Sequence, residues 1–135
     1  MADNTFELRI ITPERIFYED QVTMVEFNTS EGEIGIYKNH VPTTVIVKPG
    51  IIKITNGDEQ KVAALHSGFV EILGDKVTVL AEVIEWPEEI DVERAESAKD
   101  RAKARIDSKE EGTDRARAEV SLLRAVTRIQ AAKLK

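Results

Sequence analysis

The sequence predicts an α+β chain in two parts: an antiparallel β-sandwich or flattened barrel over residues 1–85, then an αα-hairpin over residues 88–135. Short runs in which Val, Ile, Leu and Phe alternate with polar residues fill the first part, separated by Gly-, Pro- and Asn-containing turns. At Trp86-Pro87-Glu88-Glu89 the composition changes, and beyond it Gly nearly vanishes while Ala, Arg, Lys and Glu dominate. Alanines then recur at steps of three and four, the period of a helix face.

Phe6 to Ile11 alternates Phe6, Leu8 and Ile10 on one face and reads as a strand. Thr12-Pro13-Glu14-Arg15 is a turn, and Ile16-Phe17-Tyr18 is a short run that Glu19-Asp20 breaks. Val22 to Asn28 gives the next strand, and Ser30-Glu31-Gly32-Glu33 a tight connection into Ile34-Gly35-Ile36-Tyr37. After the polar Lys38-Asn39-His40, an apolar run over Thr44-Val45-Ile46-Val47 closes at Lys48-Pro49-Gly50. The clearest hairpin chemistry follows. Ile51 to Thr55 and Lys61 to Leu65 flank Asn56-Gly57-Asp58, where Asn-Gly supplies positive φ. Gly68 to Leu73 and Lys76 to Leu80 flank Gly74-Asp75, a second reversal. Eight or more short strands follow from this spacing.

Pro87 lacks an N–H and disfavours helix at Trp86, which ends the β-type part. The acidic residues after it suit a helix N-terminus, where the macrodipole favours negative charge. Ala95, Ala98, Ala102 and Ile106 form one stripe, and Ala118, Leu122, Ala125, Ile129 and Ala132 a second, flanked by Val120, Leu123 and Val126. The stripes face each other if the chain reverses at Gly112. Each buried methyl contributes about 0.8 kcal/mol or less, so an alanine seam packs closely but weakly.

Composition narrows the function. The chain has 135 residues and a formal charge of −6, which argues against a general nucleic-acid binder. From Glu88 onward 11 acidic and 12 basic residues nearly balance, so the negative charge sits in the β-type part. The last segment is cationic, with Asp114 and Glu119 opposing Arg115, Arg117, Arg124, Arg128, Lys133 and Lys135. Absence of cysteine removes disulfides, thiolate metal sites and thiol nucleophiles. No apolar run approaches the roughly 20 residues that span a bilayer, so membrane association comes through a partner. The chain has no phosphate loop, dinucleotide-binding glycine motif or nucleophile elbow. Its two histidines are isolated: His66, at a strand end, reads as structural, and His40, in a polar loop, as a surface or interface residue. These features do not describe an enzyme.

Ser30-Glu31-Gly32-Glu33-Ile34-Gly35-Ile36 with His40-x-Pro42, then Ser67-Gly68-Phe69-Val70-Glu71, then Lys76-Val77-Thr78-Val79-Leu80-Ala81 occur in that order ahead of an Ala-rich charged hairpin. In this respect the chain resembles the epsilon subunits of the bacterial F-type ATP synthase over essentially its whole length. The resemblance implies a non-catalytic rotor subunit of the central stalk, touching the gamma subunit and the c-ring. It also implies a hairpin that leaves the enzyme free when folded, and blocks ATP hydrolysis when extended among the alpha and beta subunits. It places the complex at the cytoplasmic face of the cell membrane. Glu31 falls in the loop that meets the c-ring, and His40, Arg115 and Arg117 are taken as further partner contacts. No cofactor is required.

Some bacterial members of that family bind regulatory ATP in the folded hairpin through the pattern I/L-D-x-x-R-A. Ile90, Asp91, Arg94 and Ala95 match it, and the remaining family positions fall on Glu85, Arg101, Arg124 and Arg128. The chemistry suits a nucleotide: guanidinium groups pair with phosphate oxygens, and Glu85 and Asp91 are acceptors for an adenine amine. Two alternatives stand beside this expectation. One is the same subunit with a hairpin insensitive to ATP; the other is an unrelated adaptor whose hairpin joins a partner coiled coil.

Overall fold

The computed structural model describes residues 4–108 and 114–135. Eight strands run β1 (Phe6–Ile11), β2 (Ile16–Val22), β3 (Met24–Thr29), β4 (Gly32–Ile36), β5 (Thr43–Val47), β6 (Gly50–Asn56), β7 (Glu59–Ile72) and β8 (Lys76–Glu85). A single 3-10 turn over Pro87–Glu89 follows, then α1 (Val92–Asp107) and α2 (Arg115–Lys133). The reversal expected at Gly112 lies outside the described residues.

The strands are joined in the order β2-β1-β8-β7-β5-β3-β4, and β6 bridges β3 and β7. The sheet therefore folds back on itself as two packed layers that share β7. The first half of β7 pairs with β6 and its second half with β5, while β8 lies along its other side. Sequence reading splits β7 in two at His66-Ser67, and the structure keeps it continuous, with register shifts between Leu65 and Gly68. A bulge lets one strand change layers without ending. Gly68 is the residue that permits it: its φ is +146°, and a Cβ would lie 2.2 Å from the carbonyl oxygen of Leu80. At the β6–β7 turn, positive φ falls on Gly57, at 61°.

Two further expectations are corrected. β2 does not break at Glu19-Asp20 but runs on to Val22, because it pairs with β1 alone and an edge strand tolerates charged residues facing solvent. Pairing is antiparallel throughout except between β1 and β8, which run parallel. The core is aliphatic, with Leu8, Ile10, Val25, Ile36, Ile52, Ile54, Val70, Ile72 and Val79 buried beside Phe6 and Phe27.

The boundary is built, not loose. Trp86 stacks on Phe17 of β2 with ring centroids 4.3 Å apart. Pro87 opens the 3-10 turn, where its missing N–H costs nothing, and it is buried. Glu89 accepts the Trp86 backbone N–H at 2.9 Å and takes Arg15 at 2.8 Å. Asp91 then caps α1, accepting the Arg94 N–H at 3.1 Å, and Asp114 caps α2 in the same way through Arg117 at 3.0 Å.

Ala95 and Ala102 of α1 and Ala118, Ala125 and Ile129 of α2 are buried, as the stripes require, with Ala98, Ile106 and Leu122 half-buried. Ala132 is displaced from its expected place, since Ala131 and Thr127 are the buried residues near the end of α2. The reason is that α2 packs two ways, along α1 and against β6, β7 and the 3-10 turn. A second buried face is needed, and Thr127 joins it by donating its hydroxyl to the Leu123 carbonyl at 2.8 Å. The second helix, not the first, is the one seated on the sheet.

Candidate functional site

Where β8 ends, the 3-10 turn, the start of α1 and the middle of α2 enclose a cavity of about 390 Å³. Glu85, Glu89, Asp91, Arg94, Ala95, Ala98, Arg101 and Arg128 line it. Arg94, Ala98 and Arg101 follow one another at steps of four and three, so one face of α1 supplies them. Ala95 and Ala98 supply short side chains where a longer one would fill the space.

The charges are not equally committed. Glu89 is held by Arg15, and the Asp91 carboxylate caps α1. Glu85 Oε1 accepts from Arg128 Nε at 2.6 Å and from His66 Nε2 at 3.0 Å. A carboxylate only accepts, so the imidazole donates from Nε2. The His66 hydrogen bond is the largest influence on Glu85; burial opposes it and Arg128 reinforces it, and the carboxyl is pushed down to about 2. Among the described residues neither Arg94 nor Arg101 has an ion-pair partner. Two uncommitted guanidinium groups beside a carboxylate make a site for a ligand with an anionic end and a hydrogen-bond-donating end.

Of the residues expected here, Glu85, Asp91, Arg94, Ala95, Arg101 and Arg128 converge on the cavity. Ile90 and Arg124 do not line it. Ile90 closes the 3-10 turn through its N–H to the Pro87 carbonyl, and Arg124 is half-buried with its Nε out of contact with water and without a hydrogen-bond partner. Sequence reading missed Glu89, Ala98 and His66. Ala98 was accessible from the helical spacing, but His66 was not, since a strand 19 residues upstream in sequence brings it to Glu85.

The expected partner-contact residues lie elsewhere. Glu31 is exposed at the tip of the β3–β4 hairpin, where the Thr29 hydroxyl braces the turn by accepting the Glu31 N–H at 3.1 Å and donating to the Gly32 carbonyl at 2.7 Å. His40 lies in the loop after β4, its Nδ1 2.9 Å from the Val41 carbonyl. Arg115 and Arg117 are exposed on the first turn of α2, and Arg115 faces Glu119 at 3.8 Å. Among the described residues no cluster of His, Asp and Glu suits a metal ion, and no helix is long and apolar enough to cross a membrane.

A family model described as the β-sandwich domain of the ATP synthase delta/epsilon chain matches residues 5–87. A second, described as the long α-helix domain of the same chain, matches residues 88–133. The ATP synthase epsilon chain of Caldanaerobacter subterraneus subsp. tengcongensis is 41% identical, over 96% of this chain and 95% of the relative. That of Halalkalibacterium halodurans is 43% identical, over 95% of this chain and 97% of the relative. Among solved structures, a chain of the Euglena gracilis mitochondrial ATP synthase, in an OSCP/F1/c-ring assembly, superposes with a TM-score of 0.82. It covers 97% of this chain and 82% of its own length at 23% identity, a likeness of fold.

Proposed function

The chain belongs to the ATP synthase delta/epsilon family as an epsilon subunit of the central stalk, itself non-catalytic, and from that premise we propose that its hairpin is an ATP-sensed brake on ATP hydrolysis. In this reading the sandwich rides on the gamma subunit and the c-ring, with the braced Glu31 hairpin meeting the ring, and transmits ion-driven rotation to the catalytic head. The hairpin leaves the enzyme free when it lies on the sandwich. When extended along gamma into the catalytic head, its cationic α2, with Arg115 and Arg117 in its first turn, pairs with acidic surface of the beta subunits. Membrane attachment is through the Fo part, at the cytoplasmic face.

The observation that carries the ATP assignment is the convergence of Glu85, Asp91, Arg94, Arg101 and Arg128 on one cavity, with Arg94 and Arg101 unpaired among the described residues. Its volume of about 390 Å³ falls in the range of small-molecule sites, roughly 300–1,000 Å³. Arg94, Arg101 and Arg128 would hold phosphates, and Glu85 would accept from the adenine amine. A ligand bound there stabilises the folded hairpin by an amount set by its concentration over Kd.

A second reading, the same subunit with an ATP-insensitive hairpin, is favoured by a specific feature: Arg128 already holds one oxygen of Glu85, and Asp91 caps α1, without any ligand. Calorimetric titration of the isolated chain with ATP separates the two. The variants should be Arg94→Ala and Asp91→Ser, because Ser keeps the helix cap while withdrawing the carboxylate from the cavity. Saturable binding weakened at least about tenfold in both, each loss being some 1.4 kcal/mol or more, supports the sensor. Absence of saturation at millimolar ATP in the folded wild type leaves the insensitive hairpin.

A further inference from the structure

We propose that His66 is a positioning residue for this cavity: by donating Nε2–H to Glu85 Oε1 it keeps the Glu85–Arg128 pair single-pointed, so that both groups retain free valence for an adenine nucleotide. The inference rests on the sensor reading above and concerns how its site is kept ready.

His66 is wholly buried in β7, where an imidazole without hydrogen bonds is costly. One ring nitrogen, Nε2, reaches Glu85; the other, Nδ1, is buried with no partner. A buried ring half satisfied in this way is poorly explained by packing alone, and the half that is satisfied points to the site.

An Arg and a carboxylate left to themselves favour a two-point fork, with parallel N–H bonds to both oxygens. Here Arg128 uses Nε alone, on Oε1, the oxygen that His66 also holds. Among the described residues nothing bonds Oε2 of Glu85 or the terminal guanidinium nitrogens of Arg128. An adenine amine can therefore donate to Oε2, while Arg128 turns its terminal nitrogens to phosphate alongside Arg94 and Arg101. The groups facing Glu85 are His66 from β7 and Arg128 from α2, with Glu89 from the 3-10 turn and Asp91, Arg94 and Arg101 from the start of α1 sharing the cavity. Only His66 is both buried and outside the cavity lining, which is the placement of a support and not of a ligand contact.

The test exploits reach. His66→Gln carries an amide N–H to about the place of Nε2, whereas His66→Asn carries it no further than Nδ1, and both keep a polar side chain of similar character. ATP titration of the two full-length variants should show Asn weakened about tenfold and Gln within about threefold of wild type, the former being the usual effect of losing one hydrogen bond to a charged group. Carboxyl NMR titration of the ligand-free proteins should show the Glu85 midpoint moved up in Asn and restored in Gln. Thermal melts establish that both variants are folded, and His66→Leu should follow Asn if either melts early. Equal ATP affinities for Gln and Asn, in a wild type that binds, overturn the proposal. If the wild type binds no ATP, the sensor reading fails by itself, and the carboxyl titration still decides His66: a midpoint unchanged in Asn overturns the positioning role, and one raised in Asn and restored in Gln supports it.

Discussion

Glu85 is the last residue of β8, and its Oε1 accepts from β7 and α2 together, so its ionisation belongs to the junction of three elements. Its carboxyl is lowered from 4.5 to about 2. A depressed acid contributes stability that is full above about 4.5 and lost as pH falls toward about 2. Glu85→Gln should therefore flatten the pH dependence of unfolding free energy in that window, measured by denaturant titration at stepped pH. A variant as acid-sensitive as wild type would mean that other carboxylates dominate. At this scale the sequence discloses the residues on the helices: Asp91, Arg94, Ala95 and Arg101 stand at fixed helical offsets, so local spacing brings them together. His66 is invisible to such reading, because its partnership depends on strand register. Arg124 shows the converse, a residue of the right type and spacing that lies one turn before Arg128 on the same face of α2 and yet outside the cavity lining.

At the scale of elements, the two halves of β7 need Gly68 to pass from one layer to the other. Gly68→Ala would force a Cβ into the Leu80 carbonyl at a left-handed φ, and should destabilise the chain by about 2–4 kcal/mol. Urea denaturation measures it, and a loss below about 1 kcal/mol would show that the bulge relaxes freely. Strand existence was legible from alternation, and so were the turns at Asn56-Gly57 and Gly74-Asp75. Strand continuity was not: the sequence reads as two strands either side of His66-Ser67, and as broken at Glu19-Asp20, whereas pairing on the neighbouring strand carries the backbone through both. The helix faces were half legible. The seam between α1 and α2 follows from alanine periodicity, but the second buried face of α2, with Thr127 and Ala131, exists only because a sheet lies beneath it. It follows that α1 is held to the sandwich chiefly through α2, and releasing α2 frees both.

For the molecule as a whole, the buried sandwich cluster is composed of strand residues with Trp86 packed against it, and among the described residues no hairpin side chain contributes. A chain ending at Pro87 should unfold cooperatively on heating, and in an assembled F1 complex it should raise ATP hydrolysis over that with the full-length subunit. A broad, non-cooperative melt would show that the sandwich needs the hairpin, and unchanged hydrolysis would remove the brake. The fixing of Trp86 and Glu89 to the β1–β2 region then has a mechanical meaning. In the proposed swing of the hairpin, Glu85 and Glu89 would stay with the sandwich, and the hinge would fall at Ile90-Asp91, beyond the clamp. α1 would then be a lever of about 24 Å and α2 one of about 28 Å, turning about that point. The cavity draws one wall from each side of Ile90-Asp91, so the proposed swing would assemble or dismantle it as a unit. Under the proposed function, a nucleotide binding there would sense geometry before chemistry: the site would be a logical AND, answered only when nucleotide is abundant and the lever is already home.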